Sequence, residues 1–416
     1  MFFNRSINTG IFPHDRKCSK VIPLFKKGER RHLNNYRPIS IIPVVAKVFE
    51  RVICNQVYAF LVDNNLLASS QSGFRGLHST ITAPRLEAIN CWAYNIDSGN
   101  VNLVVFLDLK KAFDTVDHVV LLTKLHAYGF RGAANNWFET SLSGRDQQCS
   151  VNGHLSNNRS LICGIPQGTI LGPLLFLVYI NDLPKCLEYP EPRIYADDTH
   201  LTFASNNMKD IELYLSQDRA NVNQWLTANK LALNQSKTEF MPIGPSQWLC
   251  TFQSAPNLTI NGTPIKQVSQ AKSQGVYVDE NLSWTIHINE ITKKIASAIG
   301  APKRVRAFFP VNILMIIFNS VVLRHFNYCC ETWDSCSKTL AAKLRKLQKT
   351  ASRVLAFLGY DASADPLLEV LGWQKLESQG SFHKVVMVYK FLNGLAPKCM
   401  RSMFIHRDTV YSLRDA

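Results

Sequence analysis

Several features that would place this chain of 416 residues in a special structural class are missing from its sequence. Its 11 cysteines include no C-x-x-C pair. The closest cysteine group, with His325, Cys329, Cys330 and Cys336, fits no common zinc-binding spacing. We therefore expect buried, reduced thiols in a reducing compartment.

Targeting and membrane-spanning signals are also missing. The first residues, "MFFNRSINTGIFPHDRK", contain no apolar core of signal-peptide length. The longest apolar run, "VNILMIIFNSVVL", has 13 residues and includes two asparagines, so it is too short to cross a bilayer. These features predict a soluble intracellular protein, nuclear or cytoplasmic, with no membrane partner.

Charge is scarce but strongly biased towards one sign. Charged residues make up 19% of the chain, too few for a disordered protein, while 46% of the residues are apolar and can form sizeable cores. There are 46 Lys+Arg against 31 Asp+Glu, which gives a net charge of +15. Such an excess favours a polyanionic partner, most often nucleic acid. The alternative is a soluble basic protein without such a partner.

Hydrophobic periodicity predicts the main elements. A helix follows Pro43 and buries one face, the apolar positions being Val44, Val45, Val48, Val52, Tyr58 and Leu61. The run "VNLVVFLDL" predicts a central strand buried on both faces. A second helix carries Ile211, Leu215, Val222, Trp225 and Leu226 at helical spacing. Beyond a boundary near residue 280 the chain is predicted to be helical and basic.

Three acids occupy unusual positions. Asp108 ends the buried strand, where a carboxylate is costly unless it is paired or binds a metal. Asp197 and Asp198 lie at the tip of a predicted hairpin in "RIYADDTHLTF". If one sheet brings them together, their oxygens suit Mg²⁺, and two such ions serve polymerase chemistry. The alternatives are a solvated turn for the pair and a strand-end acid for Asp108.

A glycine-rich turn lies between these acids. Gly164, Pro166, Gln167 and Gly168 precede an apolar segment from 170 to 180. The glycines allow close backbone approach, and the start of the following helix offers free N–H groups to phosphate or base. The alternative is an ordinary turn before a core helix.

These segments, taken in this order, resemble the motifs of a known family. "FLDLKKAFDTVDH", "GIPQGTILGPLLF" and "YADDT" are similar to the palm motifs of reverse transcriptases from non-LTR (LINE-type) retrotransposons. "VIPLFKKGERRHLNNYRPIS" and "SSQSGFRGLHST" resemble the fingers motifs, and "LALNQSKTEFM" resembles the segment after the palm helix. With "RKLQKTASRVL" and the segment from "LEVLGWQKL" onwards, the resemblance extends from about residue 1 to 400.

The resemblance implies an α+β right-hand polymerase whose fingers and palm, with an antiparallel palm sheet, precede a helical thumb-like region. The implied divisions are 1–98 for the fingers, 99–280 for the palm with a fingers insertion and the primer-supporting segment, and 281–416 for the thumb and C-terminal region. The implied activity is RNA-directed DNA polymerisation with two Mg²⁺ ions, an RNA template, a DNA primer and deoxynucleoside triphosphates. The alternative is a catalytically silent nucleic-acid-binding remnant of a retroelement.

Site residues follow by similarity to these motifs. Asp108 and Asp197 would ligate both metal ions and Asp198 would complete the triad. Lys237 matches the lysine proposed to protonate the leaving pyrophosphate. The resemblance assigns further residues to nucleotide or nucleic-acid binding: Phe113 beneath the sugar, Gln167 and Gly168 at the nucleotide and template, Lys26 and Arg37 at the triphosphate, and Arg75 in a fingers motif.

A basic stripe lies near the end of the chain. Arg345, Lys349 and Arg353 recur at every fourth position, while the apolar residues lie on another face of the predicted helix. The stripe either binds the template–primer backbone or is a solvated helix face.

Two departures from the family pattern concern completeness and primer handling. Full-length elements usually encode an endonuclease upstream, whereas this chain begins at the fingers and contains no RNase H-like segment, so a separate endonuclease is a candidate partner. Ser273 and Gln274 precede Gly275 where relatives usually have an aromatic or leucine pair, which affects the segment expected to support the primer end.

Overall fold

A computed structural model of the chain describes residues 2–79, 85–251, 258–260, 263–401 and 403–404. Within these ranges, every β-strand lies before residue 280. In chain order they are β1 Cys18–Phe25, β2 Tyr36–Ile41, β3 Val101–Leu107, β4 Arg145–Val151, β5 His154–Leu155, β6 Arg159–Leu161, β7 Glu191–Tyr195, β8 Asp198–Ser205, β9 Glu239–Ile243, β10 Thr259–Ile260, β11 Thr263–Pro264, β12 Lys266–Gln267, β13 Gln270–Ser273 and β14 Val276–Asp279.

Helices are distributed over the whole described chain. They are α1 Phe2–Thr9, α2 Val44–Asp63, α3 Glu87–Asp97, α4 His118–Ala127, α5 Ala133–Leu142, α6 Gly172–Ile180, α7 Met208–Ala228, α8 Ser246–Thr251, α9 Thr285–Val305, α10 Val311–Phe318, α11 Arg324–Asn327, α12 Cys330–Trp333, α13 Lys338–Leu355, α14 Asp365–Val370, α15 Leu376–Leu392 and α16 Lys398–Arg401. The predicted change to helical structure near residue 280 is confirmed, because α9 follows β14 directly.

The first sheet joins distant parts of the sequence. Its order is β2-β1-β4-β5, with β6 also paired to β4. β1 is antiparallel to β2 but parallel to β4, with Cys18 opposite Asp146. A parallel pair requires a long crossover connection, and here the chain between the two strands includes β2, α2 to α5 and β3.

The second sheet has the order β12-β9-β3-β8-β7, antiparallel except for the short β12–β9 pair. The prediction of a central strand buried on both faces is confirmed for β3. Leu103 and Val105 point into the core that contains α6, whereas Val104 points into the core that contains α9. This division follows from the alternation of side chains along a strand.

Two predicted helical segments are also confirmed. The apolar segment after the glycine-rich turn forms α6, in which Leu174 to Ile180 are all buried, so the helix carries no polar face. The second predicted helix is α7, where Ile211, Val222 and Leu226 are buried.

The helix after Pro43 is α2; its predicted buried position Leu61 is confirmed, but the face predicted for its first half is wrong. Val44, Val45, Val48 and Val52 are all exposed, whereas the buried face consists of Ala46, Phe49, Glu50, Ile53, Val57 and Leu61. Apolar residues surround the first half of this helix, so the period alone does not select the face that packs. The buried face instead includes a carboxylate.

The expectation of buried thiols is wrong for most cysteines. Only Cys329 and Cys330 are buried, and four are exposed, namely Cys18, Cys149, Cys163 and Cys250. None of the helices in the described residues combines the length and apolar composition that a bilayer span requires.

Candidate active site

Strand register brings the three acids together. β3 and β8 are antiparallel neighbours, with Leu107 opposite Thr199. The next residue beyond each of these positions is Asp108 on one strand and Asp198 on the other, so these two acids lie side by side. Asp197 is in the tight turn between β7 and β8, in which Tyr195 pairs with Asp198.

The electrostatics of the acids show an excess of negative charge. Burial raises the pKa of Asp197, and the charge of Asp108 adds to this effect. Burial, followed by the charges of Asp197 and Asp108, raises the pKa of Asp198 to about 6. Asp198 keeps contact with solvent, which screens part of the repulsion. Oxygen ligands that repel one another in this way favour a bound divalent cation.

Three cationic side chains lie around the acids. The Nζ atom of Lys237 is 3.3 Å from Oδ2 of Asp108 in a solvent-accessible ion pair. Burial lowers the pKa of Lys26, the positive charges of Arg37 and Lys237 lower it further, and Asp108 opposes them. Lys26 directly follows β1 and Arg37 lies on β2, so the first sheet supplies two cations to acids held by the second.

The glycine-rich turn is fixed between β2 and the segment that follows β3. The backbone N–H of Ser40 donates to the Gln167 carbonyl at 2.6 Å. Gly168 has φ +108°, and a Cβ there would lie 2.5 Å from the Ser40 carbonyl oxygen. The close backbone approach predicted for the glycines is therefore present at Gly168. The Gln167 amide donates to Oδ1 of Asp114 at 2.9 Å.

Phe113 is half-buried beyond the end of β3. Its ring stacks on Phe176 of α6 with centroids 4.4 Å apart, and the Phe74 ring lies nearly perpendicular to it with centroids 6.5 Å apart. Its carbonyl accepts from the N–H of Ile165 at 2.8 Å, which fixes it beside the glycine-rich turn. The ring thus packs against its neighbours and keeps part of its surface accessible.

The remaining predicted basic residues all have contacts within the chain. Arg75 donates to the carbonyls of Ala68 and Gln71 at 2.8 and 3.0 Å. On α13, Arg345 pairs with Glu377, and Lys349 pairs with Asp365 at 2.9 Å; Arg353 donates to the Ala362 carbonyl at 2.8 Å. Two of the three cations of the stripe are therefore paired with carboxylates of the chain itself.

Gln274 and Gly275 form the turn between β13 and β14, directly after Ser273, and have φ +44° and φ +90°. The Arg85 guanidinium donates to the carbonyls of Ser273 and Gln274, each at 2.9 Å. The Tyr328 hydroxyl donates to the Gln274 carbonyl at 2.7 Å. The turn is thus held through its backbone by two residues from other parts of the chain.

Gln71 is a candidate site residue that the sequence analysis missed. Its side chain is buried, and Oε1 accepts from the backbone N–H of Gly73 at 2.7 Å and of Ala196 at 3.0 Å. Its Nε2 donates to the Ala196 carbonyl at 3.4 Å. Ala196 has the left-handed φ of +56° and directly precedes Asp197. Gln71 therefore fixes the backbone conformation that presents the acid pair.

The position of Gly73 supports this arrangement. A Cβ at Gly73 would lie 2.3 Å from the backbone nitrogen of Ala196, so only glycine fits. In addition, the Ser72 N–H donates to the Ile194 carbonyl at 2.8 Å. The only sequence signal was the quoted "SSQSGF" segment, and a glutamine between serines usually indicates a solvated loop.

Comparison with known proteins places this arrangement in context. The sequence profile of the family described as "Reverse transcriptase (RNA-dependent DNA polymerase)" matches residues 25–277. Similar proteins from Drosophila melanogaster include the probable RNA-directed DNA polymerase from transposon X-element, 24% identical over 85% of this chain and 39% of that protein. The probable RNA-directed DNA polymerase from transposon BS is 26% identical over 92% of this chain and 43% of its own length.

A third relative, the RNA-directed DNA polymerase from mobile element jockey of the same species, is 26% identical over 85% of this chain and 39% of that protein. The chain thus spans about two fifths of the length of these relatives. Among solved structures, telomerase from Candida albicans with a fragment of telomeric RNA has a TM-score of 0.45 and 13% identity over 88% of this chain and 65% of that one.

Proposed function

Because the chain belongs to the reverse transcriptase (RNA-dependent DNA polymerase) family, which has the right-hand α+β fold expected from the sequence, we propose that it is an RNA-directed DNA polymerase that copies retroelement RNA into DNA. The observation that carries the proposal is the convergence of Asp108, Asp197 and Asp198 beside cationic side chains from the first sheet. Such a site aligns a triphosphate and neutralises its charge, which is what nucleotidyl transfer requires.

We assign the fingers to 1–98, the palm to 99–280 and the helical thumb and C-terminal region to 281–416. The first sheet supports the fingers assignment, and the return of β4 to that sheet corresponds to a fingers insertion within the palm. The second sheet carries the acids and supports the palm assignment. The turn between β13 and β14 is the proposed primer-supporting segment.

The donor set fits divalent metal ions. The charge of Asp108 helps to raise the pKa of Asp197, and the charges of Asp197 and Asp108 help to raise that of Asp198. Three such carboxylates supply hard oxygen ligands, which suit Mg²⁺. Asp108 and Asp197 would ligate two ions and Asp198 would complete the set. Bound there, Mg²⁺ supplies charge neutralisation at the triphosphate and lowers the pKa of the primer 3′-hydroxyl.

Side chains around the acids have separate proposed tasks. Lys26 and Arg37 bind the triphosphate oxygens, which explains why the chain places these like charges close together. Lys237 holds a proton at Nζ that it gives to the leaving pyrophosphate. Gln167, with Gly168, contacts the nucleotide and template, and Phe113 excludes a 2′-hydroxyl from the sugar pocket.

The proposed partners are an RNA template, a DNA primer and deoxynucleoside triphosphates. Arg75 and the stripe of Arg345, Lys349 and Arg353 are the proposed nucleic-acid contacts, and each must exchange a contact within the chain for phosphate. A separate endonuclease is a further proposed partner.

Primer extension on an RNA template with Mg²⁺ tests the function. Asp197→Asn removes a charge that the cations need, so extension should fall by orders of magnitude while template–primer binding at low Mg²⁺ changes little. Asp97→Asn, at an exposed acid at the end of α3, is the matched control and should extend normally. Binding without extension by the unaltered chain would instead indicate the silent remnant.

A further inference from the structure

A second group of ligand-type side chains lies far along the sequence from the acids, where α12 faces α15. The Cys330 thiol and the Glu331 carboxylate come from α12, and the His383 imidazole comes from α15. Their donor atoms all lie within 4.8 Å of one another. Nδ1 of His383 is 3.5 Å from Oε1 of Glu331. The proposed polymerase chemistry uses none of these residues.

The strongest sign of a ligand is an unpartnered oxygen atom. The Glu331 side chain is only 7% exposed, and its Oε1 faces His383. Its Oε2 is buried and has no hydrogen-bond partner among the described residues. A buried carboxylate oxygen without a partner is costly, so such atoms are normally hydrogen-bonded or coordinated. A cation coordinated by the Glu331 carboxylate would supply the missing partner.

The surrounding charge also favours a cation. Asp334 lies one turn beyond Cys330 and pairs with Lys384 at 2.9 Å. The carboxylates of Glu331 and Asp334 both act electrostatically on the Cys330 thiol. The local field at the cluster is therefore negative and favours a bound cation.

The donor types select the metal. One sulfur, one imidazole nitrogen and one carboxylate oxygen form the mixed set that Zn²⁺ accepts, whereas Mg²⁺ and Ca²⁺ prefer oxygen alone. Zinc bonds of about 2.0–2.3 Å place tetrahedral ligands roughly 3.5 Å apart. Small rotations of the side chains would bring the present donors to that spacing, and water would complete the tetrahedron.

We propose that Cys330, Glu331 and His383 bind one Zn²⁺ ion that fixes α15 to α12. The ligand spacing in sequence, two adjacent residues and a third 52 positions later, matches no common zinc motif, which explains why the cysteine pattern gave no such indication. The inference does not depend on the proposed polymerase function.

The location gives the ion a structural consequence. Cys329, which precedes α12, accepts a hydrogen bond from Arg85, the residue that also binds the carbonyls of Ser273 and Gln274. Tyr328 contacts the same turn. Zinc would therefore fix α15 to the segment that supports the β13–β14 turn, and its removal should loosen the C-terminal helices without altering the acids.

The test uses the full chain and two measurements, namely zinc content by mass spectrometry after dialysis and the thiolate-to-cobalt absorption band after exchange with Co²⁺. We expect one zinc ion per chain and a cobalt–thiolate band. Cys330→Ser should abolish the band, and His383→Ala should weaken metal binding by more than the roughly 10–100-fold typical of outer-shell changes. Chelation should lower the melting temperature of the unaltered chain but not of these variants.

Two controls separate this site from other metal binding. Cys336→Ser alters a nearby thiol that is outside the cluster and should retain the band. Asp197→Asn weakens metal binding at the acids, which cannot produce a thiolate band, and should also retain it. If Cys330→Ser does not fold, His383→Ala provides the answer, because that imidazole is partly exposed. A chain without the band, or a band unchanged in His383→Ala, would overturn the proposal.

Discussion

Replacing Gln71 tests whether a residue outside the acid cluster determines how the acids are presented. Gln71→Ala removes the acceptor of the Gly73 and Ala196 N–H groups and leaves both groups buried. Each unsatisfied group costs about 1–3 kcal/mol. Relaxation of Ala196 out of the left-handed region returns about 1–2 kcal/mol. We therefore expect a net loss of about 0–5 kcal/mol in the free energy of unfolding, and a turn that no longer holds Asp197 in place.

The functional result follows from that relaxation. The Mg²⁺ concentration for half-maximal primer extension should rise by roughly 10–100-fold, as for other residues that orient metal ligands. Urea unfolding measures the change in the free energy of unfolding. An extension assay over a series of Mg²⁺ concentrations measures the change in the half-maximal Mg²⁺ concentration. Gln71→Met keeps most of the side-chain volume without the hydrogen bonds, so it should show the same metal defect.

Gln348→Ala is the matched control for this prediction. Gln348 is also a buried glutamine, and its amide donates to the Gln374 carbonyl at 2.8 Å, on a helix that carries none of the acids. Its loss should lower stability and leave the Mg²⁺ dependence unchanged. If Gln71→Ala behaved in the same way as Gln348→Ala, Gln71 would have only a structural role and our reasoning would be refuted.

Three further predictions concern Phe113, the basic stripe on α13 and Asp198. Phe113→Ala should raise the relative kcat/KM for ribonucleotides by roughly 10² or more in single-nucleotide incorporation, while Phe113→Tyr keeps most of the discrimination; an unchanged ratio in the alanine variant would assign the ring to packing alone. Replacement of Arg345, Lys349 and Arg353 by Gln should reduce the slope of log K against log[salt] for duplex binding by roughly 2 to 3 units, whereas an unchanged slope would leave only their contacts within the chain. Because the pKa of Asp198 is raised to about 6, the metal-free folded state binds more protons than the unfolded state between the ordinary aspartate range and about pH 6. The stabilisation that this proton gives to the folded state is lost as pH rises through that window. In EDTA, Asp198→Asn should gain about 1 kcal/mol in unfolding free energy relative to the unaltered chain between pH 4 and pH 7, and a pH-independent difference between the two would contradict the shift.

The sequence indicated the elements of this fold more reliably than their packing. β3 was predicted because both faces of the strand are apolar. Such a strand must be buried on both faces, which is the environment at the centre of a sheet. In α2, by contrast, valines on one side and Phe49 and Ile53 on the other both suit a core. Selection of the second side depends on Glu50, whose Oε2 accepts from the N–H of Ile170 at 2.8 Å. That partner is 120 residues away, and no local pattern contains it.

The acids and Gln71 show the same contrast within the site. The acids were predicted because a carboxylate at the end of a buried strand is costly and therefore informative in sequence. Gln71 was missed because its partners are backbone atoms of Gly73 and Ala196, and backbone atoms have no sequence signature. Residues that act on the backbone of a distant turn can be identified only once the chain is folded.

The parallel pairing of β1 with β4 has a consequence for synthesis of the chain. When a ribosome has completed β1 and β2, the inner edge of β1 still lacks its partner, and it keeps that open edge until β4 has emerged. An unpaired edge of this kind is a template for aggregation, and non-local pairing of this kind is slow. The proposed fingers segment, 1–98, therefore cannot complete its own sheet. A fragment that ends at residue 98 keeps the unpaired edge of β1.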